Sequence, residues 1–160
     1  MADLLTHYVS GRILGIGIQH RVTATLFSLG VFFPDLVKMI AMIPGWTYLL
    51  DVPSHTPFGL IFACAAASQL FADSIRWRAF SALYLGSLTH LLLDLMKDYL
   101  GSGAVFLLHP FSNESFELGL YRSEDVFYLL PANLGILAIL WIIGLRRSKN
   151  PGPAGDMSKS

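Results

Sequence analysis

The chain holds a single cysteine, Cys64, so neither an intrachain disulfide nor a cysteine zinc-finger ligand set can form. Cys64 lies in the apolar run Ala63-Cys64-Ala65-Ala66-Ala67 and reads as a small thiol buried in a helix. Charge is scarce: 14% of the residues are charged, against roughly 25% in an average soluble chain. Neither sign prevails, because 11 basic and 11 acidic side chains give a formal net charge of +0. This composition argues against a disordered chain, a basic nucleic-acid binder and a coiled coil. No internal repeat stands out, and the start lacks the basic region and cleavage site of a secretory signal.

What is present is largely apolar. Hydrophobic residues fill 54% of the 160 positions, and the mean hydropathy is +0.56. The expectation is an all-α, polytopic helical membrane protein with about four spans and an interfacial or re-entrant segment. Its domain runs over 1–147, followed by a disordered polar tail over 148–160 rich in Gly, Pro and Ser. The clearest span is Val126–Leu145, 20 residues without a charge, interrupted by Pro131 and Asn133. Arg146, Arg147 and Lys149 follow it as a cytoplasmic anchor. Spans are also expected near Val52–Ala72 and Ala79–Leu95, joined by the basic turn that holds Arg76 and Arg78. With that turn inside, Asp94 lies outside, and an inner-membrane, multi-pass location with a cytoplasmic C-terminus follows. Residues Leu4 to Phe33 form either one long helix to Pro34 or two pieces that meet near Gly15 to His20. Met39–Leu50, broken by Pro44-Gly45, is too short to span and reads as re-entrant or interfacial.

Ionisable groups within apolar segments carry the functional signal. His90 and Asp94 stand four residues apart and share one helix face. They can bind one metal ion or pair with each other structurally. His55, at the start of the preceding span, converges with them if the two spans are antiparallel neighbours. Asp35, directly after Pro34, is either a cap or turn residue or a fourth ligand. Two histidines and two aspartates suit zinc, manganese or iron. His7 is a further candidate. A straight helix would hold it about 40 Å from Asp35 at about 1.5 Å per residue, so it can join only if the chain folds back near Gly15 to Gly17.

The ordered set Thr6-His7, Pro34-Asp35, Ser54-His55-Thr56 and Gly86-Ser87-Leu88-Thr89-His90-Leu91-Leu92-Leu93-Asp94 resembles one known family. Gly101 and Leu108-His109-Pro110-Phe111-Ser112 extend the likeness. The family is the bacterial and archaeal inner-membrane-associated metal-dependent hydrolases, also described as SOS-repressor-binding membrane proteins. It is distantly similar to zinc-dependent phospholipase C and P1 nuclease. The resemblance covers roughly residues 4 to 145. It implies that Asp35, His55, His90 and Asp94 form one metal site, with His7 serving a neighbouring ion bridged by Asp94. It also implies further ligands at His109 and at Glu114 or Glu117. The chain departs from the family pattern where Pro34-Asp35-Leu36-Val37 lacks a second acid. Asp51-Val52-Pro53-Ser54-His55 likewise lacks the family's basic stretch.

The activity expected on these grounds is hydrolysis of a phosphoester, on a membrane lipid or a lipid-linked phosphate, at the outer face of the membrane. Asp51 or Asp98 would accept the proton of water, and Arg122 would neutralise phosphate charge. A cytoplasmic protein partner is compatible with the sequence, whereas direct nucleic-acid binding is not expected. The alternatives from the residues alone are a metal transporter and a non-catalytic adaptor whose His and Asp residues specify helix packing.

Overall fold

The structure, a computed structural model, describes residues 2–41, 52–98 and 105–149. Asp51, most of the proposed re-entrant segment, the Gly101-Ser102-Gly103 turn and residues 150–160 of the tail lie outside these limits. Five helices carry the fold: α1 (Ala2–Leu14), α2 (Arg21–Ala41), α3 (Pro57–Ser68), α4 (Asp73–Leu95) and α5 (Val126–Lys149).

The N-terminal third is two helices. Gly15 and Gly17 disfavour a continuous α-helix, and the chain tightens there into a 3-10 turn before Ile18 becomes extended. α2 then runs back along α1. Tyr8 stacks on Phe32 at 5.1 Å, Arg12 reaches Ser28 at 3.4 Å, and Gly11 abuts Val31. This reversal brings His7 beside the C-terminal half of α2.

α2 and α4 form the most extensive helix contact and run parallel. His20 lies by Arg78, Gly30 by Leu83 and Gly86, and Val31 by His90. Glycines make this contact possible. A Cβ on Gly30 would run into the Leu83 carbonyl oxygen, and one on Gly86 into that of Phe27. Pro34 adds a second device. Inside α2 it supplies no N–H, so the Gly30 carbonyl loses its helical donor. The Ser87 hydroxyl on α4 lies 3.1 Å from that carbonyl and 2.9 Å from its own Leu83 carbonyl.

α3 and α4 form the antiparallel hairpin expected from the sequence. The Thr56 hydroxyl caps α3 by accepting from the Gly59 N–H at 3.0 Å, with Pro57 at the first helical position. The segment 116–121 closes the far end of α4, where the N–H groups of Leu118 and Leu120 donate to the Leu95 and Met96 carbonyls at 2.7 and 2.8 Å. The last helical carbonyls, which no intrahelical donor can reach, are satisfied in this way. α5 packs against α1, and Asn133 donates to Ser10 at 3.0 Å.

The four-span expectation is overturned. Among the described residues one helix, Arg21–Ile40, has the length and hydropathy to cross a bilayer, and 33% of that window is buried inside the protein. The apolar stretches Pro57–Ser68 and Phe127–Ile143 fall short of that length. The sequence misleads because α3 starts at Pro57 rather than Val52, after a turn that presents His55. α4 begins with charged residues, and its buried face packs against neighbouring helices. The chain is thus an all-α domain with helix-on-helix packing, and the multi-pass inner-membrane location with a cytoplasmic C-terminus loses its structural basis. Apolar side chains nonetheless stand exposed on its surface, among them Trp77, Phe127, Ile139 and Trp141.

Candidate metal centre

Four helices or their ends deliver five ligand-type side chains to one place. His7 comes from α1, Asp35 from α2 just after Pro34, and His55 from the turn before the Thr56 cap. His90 and Asp94 stand one turn apart on α4. His7, His90 and Asp94 form one buried three-ligand set, and Asp35, His55 and His90 a second, with the potential ligand atoms of each set within 4.8 Å of one another. His90 belongs to both.

The separations suit a common ion. Asp94 Oδ2 lies 3.2 Å from His90 Nε2 and 3.9 Å from His55 Nε2, and Asp94 Oδ1 lies 3.3 Å from His7 Nε2. Asp35 Oδ1 is 3.5 Å from His55 Nε2 and 3.9 Å from His90 Nε2. Ligands about 2.0–2.1 Å from a tetrahedral ion stand about 3.3 Å apart. The cluster is therefore near the size at which one divalent cation touches several of these atoms.

Protonation makes the same point. His90 Nδ1 is 2.8 Å from the Val31 carbonyl oxygen. A carbonyl only accepts, so Nδ1 carries the hydrogen and Nε2 of the neutral ring is a bare lone pair. Nε2 is fully buried and, among the described residues, has no partner in hydrogen-bond geometry. A lone pair facing two carboxylates at 3.2 and 3.9 Å calls for a cation between them, a proton or a metal. A backbone carbonyl that fixes the tautomer of a liganding imidazole is the usual outer support of a metal site. His55 has a similar support, because its Nδ1 lies 2.9 Å from the Ser54 hydroxyl.

Both carboxylates are held ionised. Burial pushes the Asp94 carboxyl up, but the His7 and His90 imidazoles beside it, when they carry a proton, outweigh burial and hold it far below the ordinary range. Burial also pushes Asp35 up. The His55 bond and then the charges of His90 and His55 reverse this, against the opposing charge of Asp94. Ionised carboxylates beside imidazole nitrogens are a donor set for a divalent ion. The cluster is closed on one side and open on the other. The His7 and His90 side chains are 3% and 1% exposed, whereas Asp35 is 35% exposed.

The other candidates belong to neither three-ligand set. Asp98 and Arg122 meet each other, with Nε donating to Oδ2 at 3.1 Å, past the C-terminal end of α4. His109 pairs with Asn113 in the loop at 3.2 Å, and Glu114 is exposed in the same loop. Asp51 falls outside the described residues. Sequence reasoning missed the supports: the Val31 carbonyl, Ser54, and the close approach at Gly30 and Gly86. Only Pro34, a helix breaker at the end of the apolar stretch Val31-Phe32-Phe33, marked where an α2 carbonyl would lose its donor. No protein family, curated protein or solved structure matches the chain.

Proposed function

We propose that the chain is a metal-dependent hydrolase acting on a phosphoester, with zinc as the ion and manganese or iron as substitutes. The observation that carries this reading is the one-sided cluster, in which a closed face of buried histidines meets an open face at Asp35. Structural zinc sites are closed on all sides, whereas catalytic ones keep a position for water and substrate. The ordered motif set that resembles the hydrolase family supports the same reading.

Asp35, His55, His90 and Asp94 would hold the ion, with His7 beside Asp94 on the closed side, and the ion when bound would supply an acidified water and a charge for a phosphoryl oxygen. The chain's own contribution is placement. The Val31 carbonyl fixes the His90 ring, and Ser54 orients His55. Asp94 and Asp35, kept ionised, act as ligands rather than proton acceptors.

The substrate proposed is a phosphoester on an apolar chain. Two apolar clefts, of about 170 and 280 Å³, share Pro57 and Leu107. Pro57 is two residues from His55, and Leu91 in the first cleft adjoins His90. An aliphatic group attached to the phosphate would find its place there.

The test is elemental analysis of tag-free protein, followed by assay of the loaded protein on bis(p-nitrophenyl) phosphate and on a long-chain alkyl phosphodiester. Bound zinc with chelator-sensitive turnover, faster on the long-chain ester, is the expected result. Bound metal without turnover on either ester leaves a binding protein or transporter, and the hydrolase reading falls. A folded protein that takes up no metal leaves the His–Asp cluster as a packing device.

A further inference from the structure

The end of α4 opposite His90 and Asp94 carries a second feature. A cavity of about 390 Å³ opens between the C-terminal half of α3 and the first turns of α4. Its walls are apolar, built by Ile61, Ala65, Trp77 and Phe80. The Trp77 and Phe80 rings stack with centroids 5.3 Å apart, and Trp77 remains 76% exposed. Arg76 and Asp73 also line it.

Arg76 is the informative residue. Its outer nitrogen forms a close ion pair with Asp73 one turn back, but that carboxylate is 85% exposed and such surface pairs are weak. Its Nε is enclosed and, among the described residues, has no hydrogen-bond partner. A guanidinium offers five donors in a planar fork that matches carboxylates and phosphates. Because α2 and α4 run parallel, their N-terminal ends lie together. Arg21, Arg76 and Arg78 then share this end with Asp73, and Arg78 also meets His20 at 3.4 Å. An apolar pocket with a half-exposed guanidinium at its rim, held only by a weak surface pair, is shaped for a molecule with two chemistries.

We infer that the cavity walled by Ile61, Ala65, Trp77 and Phe80 binds an amphiphile, with an aliphatic chain inside and a phosphate or carboxylate head on Arg76. The aromatic wall accepts the chain, and the head takes the outer nitrogens of the half-exposed Arg76 guanidinium in place of Asp73. Headgroup charge is selected by the basic end of the α2–α4 pair. The metal centre takes no part, and its content is not altered by the ligand.

The probe is dodecyl phosphate below its micelle concentration, followed by tryptophan fluorescence and by isothermal titration of the full chain. Dodecyltrimethylammonium and inorganic phosphate serve as comparisons. Saturable binding of the alkyl phosphate is expected, at least tenfold tighter than either comparison. Arg76→Gln should weaken it about tenfold, and Ala65→Phe, which fills the cavity, should abolish it. Both variants should keep wild-type helicity, metal content and turnover of the long-chain phosphodiester, so the loss is read as the component of binding that Trp77 reports, apart from the clefts beside Pro57. Equal binding of the cationic amphiphile, or undiminished binding in folded Ala65→Phe, would mean adsorption on exposed apolar surface and would overturn the proposal. Inorganic phosphate bound as tightly as dodecyl phosphate would also overturn it, since the chain would then contribute nothing.

Discussion

His90 is the ligand common to both three-residue sets, so its removal should act differently from the removal of any other ligand. The measurable quantity is the stability gained on adding zinc. A ligand that binds only the folded state at about 100 to 1,000 times its dissociation constant adds about 2.7–4.1 kcal/mol. For a chain of 160 residues, that is a rise in Tm of about 5–15 °C. His7→Ala leaves Asp35, His55 and His90 in place, and His55→Ala leaves His7, His90 and Asp94. Each should keep a zinc-dependent rise, reduced by about 1.4 kcal/mol for every tenfold loss of affinity. His90→Ala breaks both sets and should abolish the rise. It also removes the hydrogen bond to the Val31 carbonyl, which lowers the stability of the metal-free protein by about 0.5–1.5 kcal/mol. The assay is thermal unfolding followed by circular dichroism, with and without zinc, with His90→Gln as a variant closer in volume. A zinc-dependent rise in folded His90→Ala equal to that of wild type would refute the shared-ligand geometry. A wild type that gains nothing from zinc would refute the metal centre.

The helix contact predicts an inverted glycine effect. Gly86→Ala ordinarily strengthens a helix by about 1 kcal/mol, but here the new methyl meets the Phe27 backbone. Destabilisation by about 1–3 kcal/mol and weaker zinc binding are expected, read by urea unfolding and metal titration. Thr56→Val removes the cap on α3 and should cost about 1 kcal/mol, with a further loss of zinc affinity because His55 sits on that turn. The depressed pKa of Asp94 stabilises the metal-free fold above the ordinary aspartate value of 3.8, and this contribution is lost as pH falls below it toward the folded-state value. Urea midpoints of the metal-free protein should therefore fall on acidification, and Asp94→Asn should flatten that dependence. An equally steep fall in the variant would assign it to other carboxylates.

The site was more legible in the sequence than the fold, because the two are encoded at different ranges. His90 and Asp94 are four residues apart, and helical periodicity alone puts them on one face. His55 came next, because α3 and α4 are joined by a short turn and form an antiparallel hairpin. Asp35 and His7 depend on longer-range packing, which no local pattern reports. His7 reaches the cluster through the reversal at Gly15–Gly17, a point at which two glycines announce weakness but not direction. Asp35 reaches it because α2 lies parallel to α4, and that contact rests on the absence of two side chains. The number of spans was misjudged for a related reason. Hydropathy registers how apolar a segment is, not whether its apolar face meets lipid or another helix, and α4 buries its face against α2 and α3. The same packing explains why a cluster with two ionised carboxylates can exist within an apolar helix bundle. Pro34 removes one donor from α2 and Gly30 and Gly86 remove two side chains, so that the Gly30 and Val31 carbonyls come within reach of Ser87 and His90. The residues that create the site's geometry are therefore those with the least side-chain chemistry of their own. Substitutions at Gly30 or Gly86 should damage metal binding although neither residue is a ligand.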